Sequence, residues 1–219
     1  MKYNLEKDLN SALNMYPKLK FIEEKRDKFL VGCLDIFDAD DNYCDSFNIR
    51  LSIPNNHLNS FPKLFEVDNK IKNIDDSHIN EDGSCCVCSL QEEDKRLNRK
   101  GISIVEYLKE FAIPFLANIL YYREKGKYAN GEYKHGIDGV VQFYQELFNI
   151  KNVNEILTEI TKSITKTSSR NDKCFCGSEL KYKKCHLKFK LELNKLSKKR
   201  LFEDYKLMEY YIQKKNGNV

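Results

Sequence analysis

Phe47, Ile49, Leu51 and Ile53 alternate strictly with Asn48, Arg50 and Ser52. A period of two puts the four apolar side chains on one face of a strand. Similar short apolar runs occupy residues 19–23, 29–37 and 63–67, and the alternating run itself spans 43–53. The acidic stretch 38–42 is a turn. Connections this short cannot carry the crossover that a parallel pair needs, so a four-stranded antiparallel meander is predicted. Residues 55–61, bracketed by Pro54 and Pro62, cannot pair in a central strand and are expected to cross over to the last one. Cys33 and Cys44 read as small apolar residues of the strands, and His57, in the crossover, as an exposed bystander.

Helical spacing replaces the period of two on both sides of this region. Residues 4–15 carry Leu5, Leu9, Ala12 and Leu13 on one face, with Pro17 as a stop. Residues 102–123 form the longest helical pattern, with a kink or break expected at Pro114. Shorter helices are predicted over 140–148 and 154–163. Residues 91–100 are charged and polar, and read as a solvated loop. Residues 71–76 lead from the strands to a cysteine-rich stretch, and 165–173 lack large apolar residues and read as a linker. The tail from 187 to 219 is basic, with Leu191, Leu196, Leu201, Tyr205, Met208 and Ile212 at helical spacing. The fold class is therefore α+β. A main domain is expected over 1–165, a linker over 166–171, and a small module with a helical tail over 172–219.

The eight cysteines gain meaning from compartment. Residues 1–16 are polar and charged, without the apolar stretch of a secretory signal. No run of eighteen apolar residues occurs, so no membrane span is expected. A cytoplasmic location follows, where clustered cysteines serve metals or catalysis more often than disulfides. The net charge of +4 is too small to imply a nucleic-acid partner.

Cys174, Cys176, Cys185 and His186 form a compact Cys₃His set, a closed tetrahedral ligand group for structural zinc. The stretches Cys174-Phe175-Cys176-Gly177-Ser178 and Lys181-Tyr182-Lys183-Lys184-Cys185-His186 resemble the SEC-C motif, a small zinc module. A module of this size buries too little surface to stand without its metal. The lysines around it suit a docking surface as well as a folding staple.

The second cluster is His78-Ile79-Asn80-Glu81-Asp82-Gly83-Ser84-Cys85-Cys86-Val87-Cys88. Asp82-Gly83 is a tight-turn signal, and a cysteine just beyond such a turn, with a histidine near it, is a candidate nucleophile. Zinc binding by His78, Cys85, Cys86 and Cys88 is an alternative. A zinc deaminase is excluded, since residue 80 is Asn where that signature needs Glu, and no Pro precedes Cys85.

The order of a leading helix, a meander, a proline-marked crossover and a His…Asp-Gly-x-x-Cys segment resembles the divergent bacterial branch of the ubiquitin-conjugating enzyme (UBC-like) fold. That resemblance makes Cys86 the active cysteine, with Cys85 where an apolar residue usually stands. His78 falls where eukaryotic members carry the Asn of His-Pro-Asn. The loop 131–136, with His135, looks like one found in bacterial homologues. His78, Asn80 or the backbone of the Asp82-Gly83 turn would supply oxyanion donors, and His135 would line the groove.

The activity this resemblance implies is acyl transfer. Cys86 would carry a protein's C-terminal carboxyl as a thioester and pass it to an acceptor. Bacterial proteins of this kind are found in antiphage operons, both cyclic-oligonucleotide signalling (CBASS) and ubiquitin-like conjugation systems. The implied cargo is a CD-NTase-like nucleotidyltransferase or a ubiquitin-like protein. The chain has no glycine-rich phosphate loop, so a separate activating enzyme, or a cargo already activated, is expected. The rival reading is an inactive UBC-like scaffold whose basic zinc module binds protein or nucleic acid.

Overall fold

The computed structural model describes residues 4–71, 78–129, 134–166 and 168–217. The helices are α1 (Leu5–Met15), α2 (Leu90–Lys100), α3 (Ile104–Tyr107), α4 (Ile113–Lys125), α5 (Gly136–Phe148), α6 (Val153–Thr165), α7 (Leu187–Leu193) and α8 (Lys198–Lys215). The strands are β1 (Leu19–Glu24), β2 (Asp27–Phe37), β3 (Tyr43–Ile53) and β4 (Lys63–Glu66). The chain is α+β, as expected. Among the described residues no helix is long and apolar enough to cross a membrane.

The chain divides into two compact units, one of Met1–Ser89 with Lys100–Glu132, the other of Leu90–Arg99 with Tyr133–Val219. The expected boundary near 165 lies inside the second unit. The cause is apolar: Val140, Tyr144, Phe148, Ile156 and Ile160 of α5 and α6 share one core with Leu193, Leu196 and Met208. The helical tail thus supplies the surface that these two helices need.

In the first unit the strands pair in chain order, each antiparallel to the next. Leu51 lies in register between Leu30 and Leu64, and all three are fully buried with Phe47 and Ile49. The alternation of β3 therefore faces the core. Gly32, opposite Leu19, has a φ of 139°. A Cβ there would fall 2.2 Å from the carbonyl oxygen of Lys18, so β1 approaches β2 through the missing side chain.

Asn4 opens α1, its side-chain oxygen accepting from the N–H of Lys7 at 3.1 Å. Asp8 of α1 accepts from the backbone N–H of Ile104 at 2.8 Å and lies 3.4 Å from Nε2 of His57. His57 is buried, contrary to expectation. The crossover folds inward and sets the imidazole beside the Asp8 carboxylate.

The helix predicted over 102–123 is one continuous path with a five-residue π turn at Leu108–Ala112, between α3 and α4. The N–H of Ile113 bonds to the carbonyl of Leu108. Pro114 lies in the first turn of α4. Its ring would press on the carbonyl four residues back in a regular helix, and the wider π turn relieves that clash where a kink was expected.

In the second unit, α2 occupies the stretch expected to be a loop. Its residues are strong helix formers. Lys95 pairs with Glu92 at 2.7 Å and lies over the ring of Phe143 at 4.7 Å. Asp94 accepts from the N–H and hydroxyl of Ser197, the residue that caps α8. Gln91 is buried and donates to Asp204 at 3.0 Å. The fully buried Asp204 also takes the Tyr144 hydroxyl at 2.9 Å and pairs with Arg200 at 2.7 Å. Burial pushes its carboxyl above the usual range, with these partners opposing. A helix whose only apolar residues are Leu90 and Leu97 thus packs largely through hydrogen bonds and ion pairs.

Candidate functional site

The stretch from His78 to Cys86 folds into a small hairpin-like loop. The N–H of Cys86 donates to the carbonyl of His78 at 2.7 Å, and the N–H of Asn80 to that of Ser84 at 2.8 Å. The N–H of Gly83 closes the turn on the carbonyl of Asn80 at 2.9 Å. The N–H of Cys85 then bonds to Leu64 of β4 at 2.7 Å, so the loop hangs from the sheet edge. Asp82 accepts from the N–H and hydroxyl of Ser84 and from Lys63 at 2.6 Å. The Lys63 and Ser84 hydrogen bonds hold its carboxyl well below the usual range.

Neighbouring residues of an extended segment face opposite ways. Cys85 is buried, whereas Cys86 and Cys88 are partly exposed. Burial pushes the Cys85 thiol up to about 12, which keeps it protonated and unreactive at neutral pH. The Cys86 sulfur lies 3.7 Å from the carbonyl oxygen of Cys88.

The loop brings His78 opposite Cys86 through the backbone. The His78 ring meets Tyr128 edge-on at 5.0 Å, and its backbone φ is 49°, uncommon outside glycine. The Asn80 amide donates one hydrogen to Ser84 at 3.0 Å and retains a second. Of the backbone donors considered for an oxyanion, the N–H of Gly83 is engaged inside the turn. His135 stands at the N-terminus of α5 in the second unit. Residues 131–133 of its loop, and 72–77 before His78, lie outside the described residues.

The other cysteine cluster converges. Residues 173 and 181 bridge as a short antiparallel pair, and the N–H of Cys174 donates to Leu180 at 2.8 Å. A 3₁₀ turn, Tyr182–Lys184, then delivers Cys185 and His186 to the start of α7. The Cys174 and Cys185 sulfurs lie 3.2 and 3.0 Å from Nδ1 of His186, and the Cys176 and Cys185 sulfurs 3.6 Å apart. All four donor atoms fall within 4.8 Å of one another. A tetrahedral ion with bonds of about 2.3 Å to sulfur and about 2.0 Å to nitrogen needs edges of roughly 3.5–3.8 Å. The set is thus of the right size and chemistry to close on one metal ion. The His186 ring is packed by Phe175 at 4.9 Å and Phe189 at 5.9 Å. The Ser178 hydroxyl holds the Cys176 thiol down at about 6, whereas burial raises Cys185 to about 11.

His78, Cys85, Cys86 and Cys88 do not form a second such group among the described residues. One partner escaped the sequence: Glu159 of α6, whose Oε2 lies 2.5 Å from Nε2 of His186. Its only local signal is Lys162, three residues on, with which it pairs at 2.9 Å. Burial opposes the Glu159 charge, but the bonds from Lys162 and His186 prevail and hold it below the usual range.

No curated protein and no solved structure matches the chain. The family model of the SEC-C motif matches residues 170–188, the segment that holds all four converging donors.

Proposed function

We propose that the first unit carries a protein's C-terminal carboxyl as a thioester on Cys86 and passes it to an acceptor, while the second unit holds one structural zinc ion. The observation that supports the first part is the split of adjacent thiols: Cys86 is partly exposed at the end of a backbone-locked loop, and Cys85 is buried. The Cys86 thiolate attacks the carbonyl carbon of an activated carboxyl group, the activating group leaves, and a C–S bond forms. An acceptor amine then attacks the same carbon, loses its proton to solvent or a base, and releases the thiolate. Negative charge on the tetrahedral oxygen needs a donor, and the second amide hydrogen of Asn80 and the His78 ring are the side-chain candidates.

The UBC-like resemblance extends this reading to a cargo, a CD-NTase-like nucleotidyltransferase or a ubiquitin-like protein in bacterial defence, with activation by a separate enzyme. Cys174, Cys176, Cys185 and Nδ1 of His186 would hold zinc. A closed set of four protein ligands gives the ion a structural role.

The test is covalent. With cargo and activating enzyme present, wild type, Cys85→Ala and Cys88→Ala should form a thiol-sensitive adduct on non-reducing gels, and Cys86→Ala none. Cys86→Ser should trap a more stable ester. An adduct that survives Cys86→Ala sinks the assignment. The scaffold reading predicts no adduct in any of these proteins.

A further inference from the structure

The contact between Glu159 and His186 joins α6 to the cysteine loop across 27 residues of sequence. A carboxylate only accepts hydrogen bonds, so Nε2 carries the ring hydrogen. In neutral imidazole the lone pair then sits on Nδ1. That is the nitrogen 3.2 and 3.0 Å from the sulfurs of Cys174 and Cys185. Phe175 and Phe189 confine the ring by packing, but apolar packing does not distinguish a ring from its flipped form. The carboxylate does.

Glu159 is itself fixed. Its other oxygen accepts from Lys162 at 2.9 Å, its side chain is 16% exposed, and it rides on a helix anchored by the buried Ile156 and Ile160. We infer that Glu159 is the positioning residue of the metal centre: it holds His186 in the Nε2–H tautomer with Nδ1 aimed at the cysteines, and so links metal affinity to the packing of α6. This inference rests on the zinc reading above. Partners that orient a ligating histidine commonly raise metal affinity by about 10–100-fold.

The experiment uses the full chain and zinc alone. Chelator competition gives the affinities of wild type, Glu159→Gln, Glu159→Leu and the control Lys162→Met. Nitrogen NMR of the zinc-loaded wild type reports the His186 tautomer. Circular dichroism of the metal-free proteins monitors the fold. Glu159→Leu should weaken zinc binding about 10–100-fold. Glu159→Gln, whose amide oxygen still accepts, should lose less, and Lys162→Met least. Helix content should stay constant, and Nδ1 should be the bound nitrogen. Unchanged affinity in Glu159→Leu overturns the proposal, as does zinc on Nε2. So does an equal loss in Gln and Leu variants that follows falling helix content. A wild type that binds no zinc overturns instead the metal reading on which the inference stands.

Discussion

The molecule carries two loops of clustered cysteines that treat their thiols in opposite ways. In the hairpin from His78 to Cys86 the backbone is extended around the turn, and consecutive side chains diverge into core and solvent. In the loop from Cys174 to His186 a short bridge and a 3₁₀ turn fold the chain back, and four donors converge. The stretches 78–88 and 174–186 each hold three cysteines and one histidine. Backbone conformation decides whether a cluster of sulfur is split between core and surface or gathered at one point.

The comparison breaks most completely if the second loop holds no metal. The intact chain should carry about one zinc, and a Cys174→Ser/Cys176→Ser variant none, by elemental analysis. Proteolysis of that variant should first cut near the loop and leave the β-sheet unit intact. Two zinc ions in the wild type would mean that the hairpin also gathers its thiols.

Divergence in the hairpin is tested by alkylation. With its thiol at about 12, Cys85 should react with iodoacetamide at neutral pH roughly 10³-fold more slowly than an ordinary thiol of pKa near ~8.5. Cys86 should label before Cys85 in a mass-spectrometric time course. Equal labelling of the pair would mean that the loop opens readily.

His78 sharpens the contrast between holding and reacting. If its ring stabilises the oxyanion, His78→Ala should slow acyl transfer by roughly 10²–10³-fold with little change in melting temperature. If the edge contact with Tyr128 is its main role, the variant should lose about 0.5–1.5 kcal/mol of stability. Loading and transfer should then decline together. Separate half-reactions and a melting curve decide.

The smallest effect is electrostatic. The Asp82 carboxyl is depressed by Lys63 and Ser84, so its support of the turn is present above the ordinary carboxylate value near ~3.9 and is lost as pH falls past its own lower value. The Ser84 amide resonance should titrate below that ordinary value in the wild type and stay flat in Asp82→Asn. A midpoint at the usual value would detach Asp82 from the turn.

The sheet was legible because burial on one face prints a period of two, as Phe47 to Ile53 show. The convergence of Cys174, Cys176, Cys185 and His186 was legible because metal chemistry restricts residue type. What escaped depended on partners distant in sequence. Nothing near His57 announces Asp8, and nothing near Glu159 announces His186. Helix α2 escaped because its stability comes from propensity and polar contacts, which leave no apolar stripe. The shared core of α5, α6 and the tail was illegible for a related reason: α5 and α6 have apolar faces that fit any core, and only packing shows that they belong with Leu193 and Met208.

The π turn at Leu108–Ala112 bears on how such a chain tolerates change in length. A wide turn of this kind accommodates one residue beyond regular winding while the helix on each side keeps its phase. Removing a residue there should leave Leu116 and Ile119, both fully buried, facing the same core. Removing one within α4 would instead rotate the rest of the helix by about 100° and turn that face outward. The two deletions are equal in size, yet the first should keep the helical face and cost only the renewed clash of the Pro114 ring with the preceding turn, whereas the second should misplace the face itself.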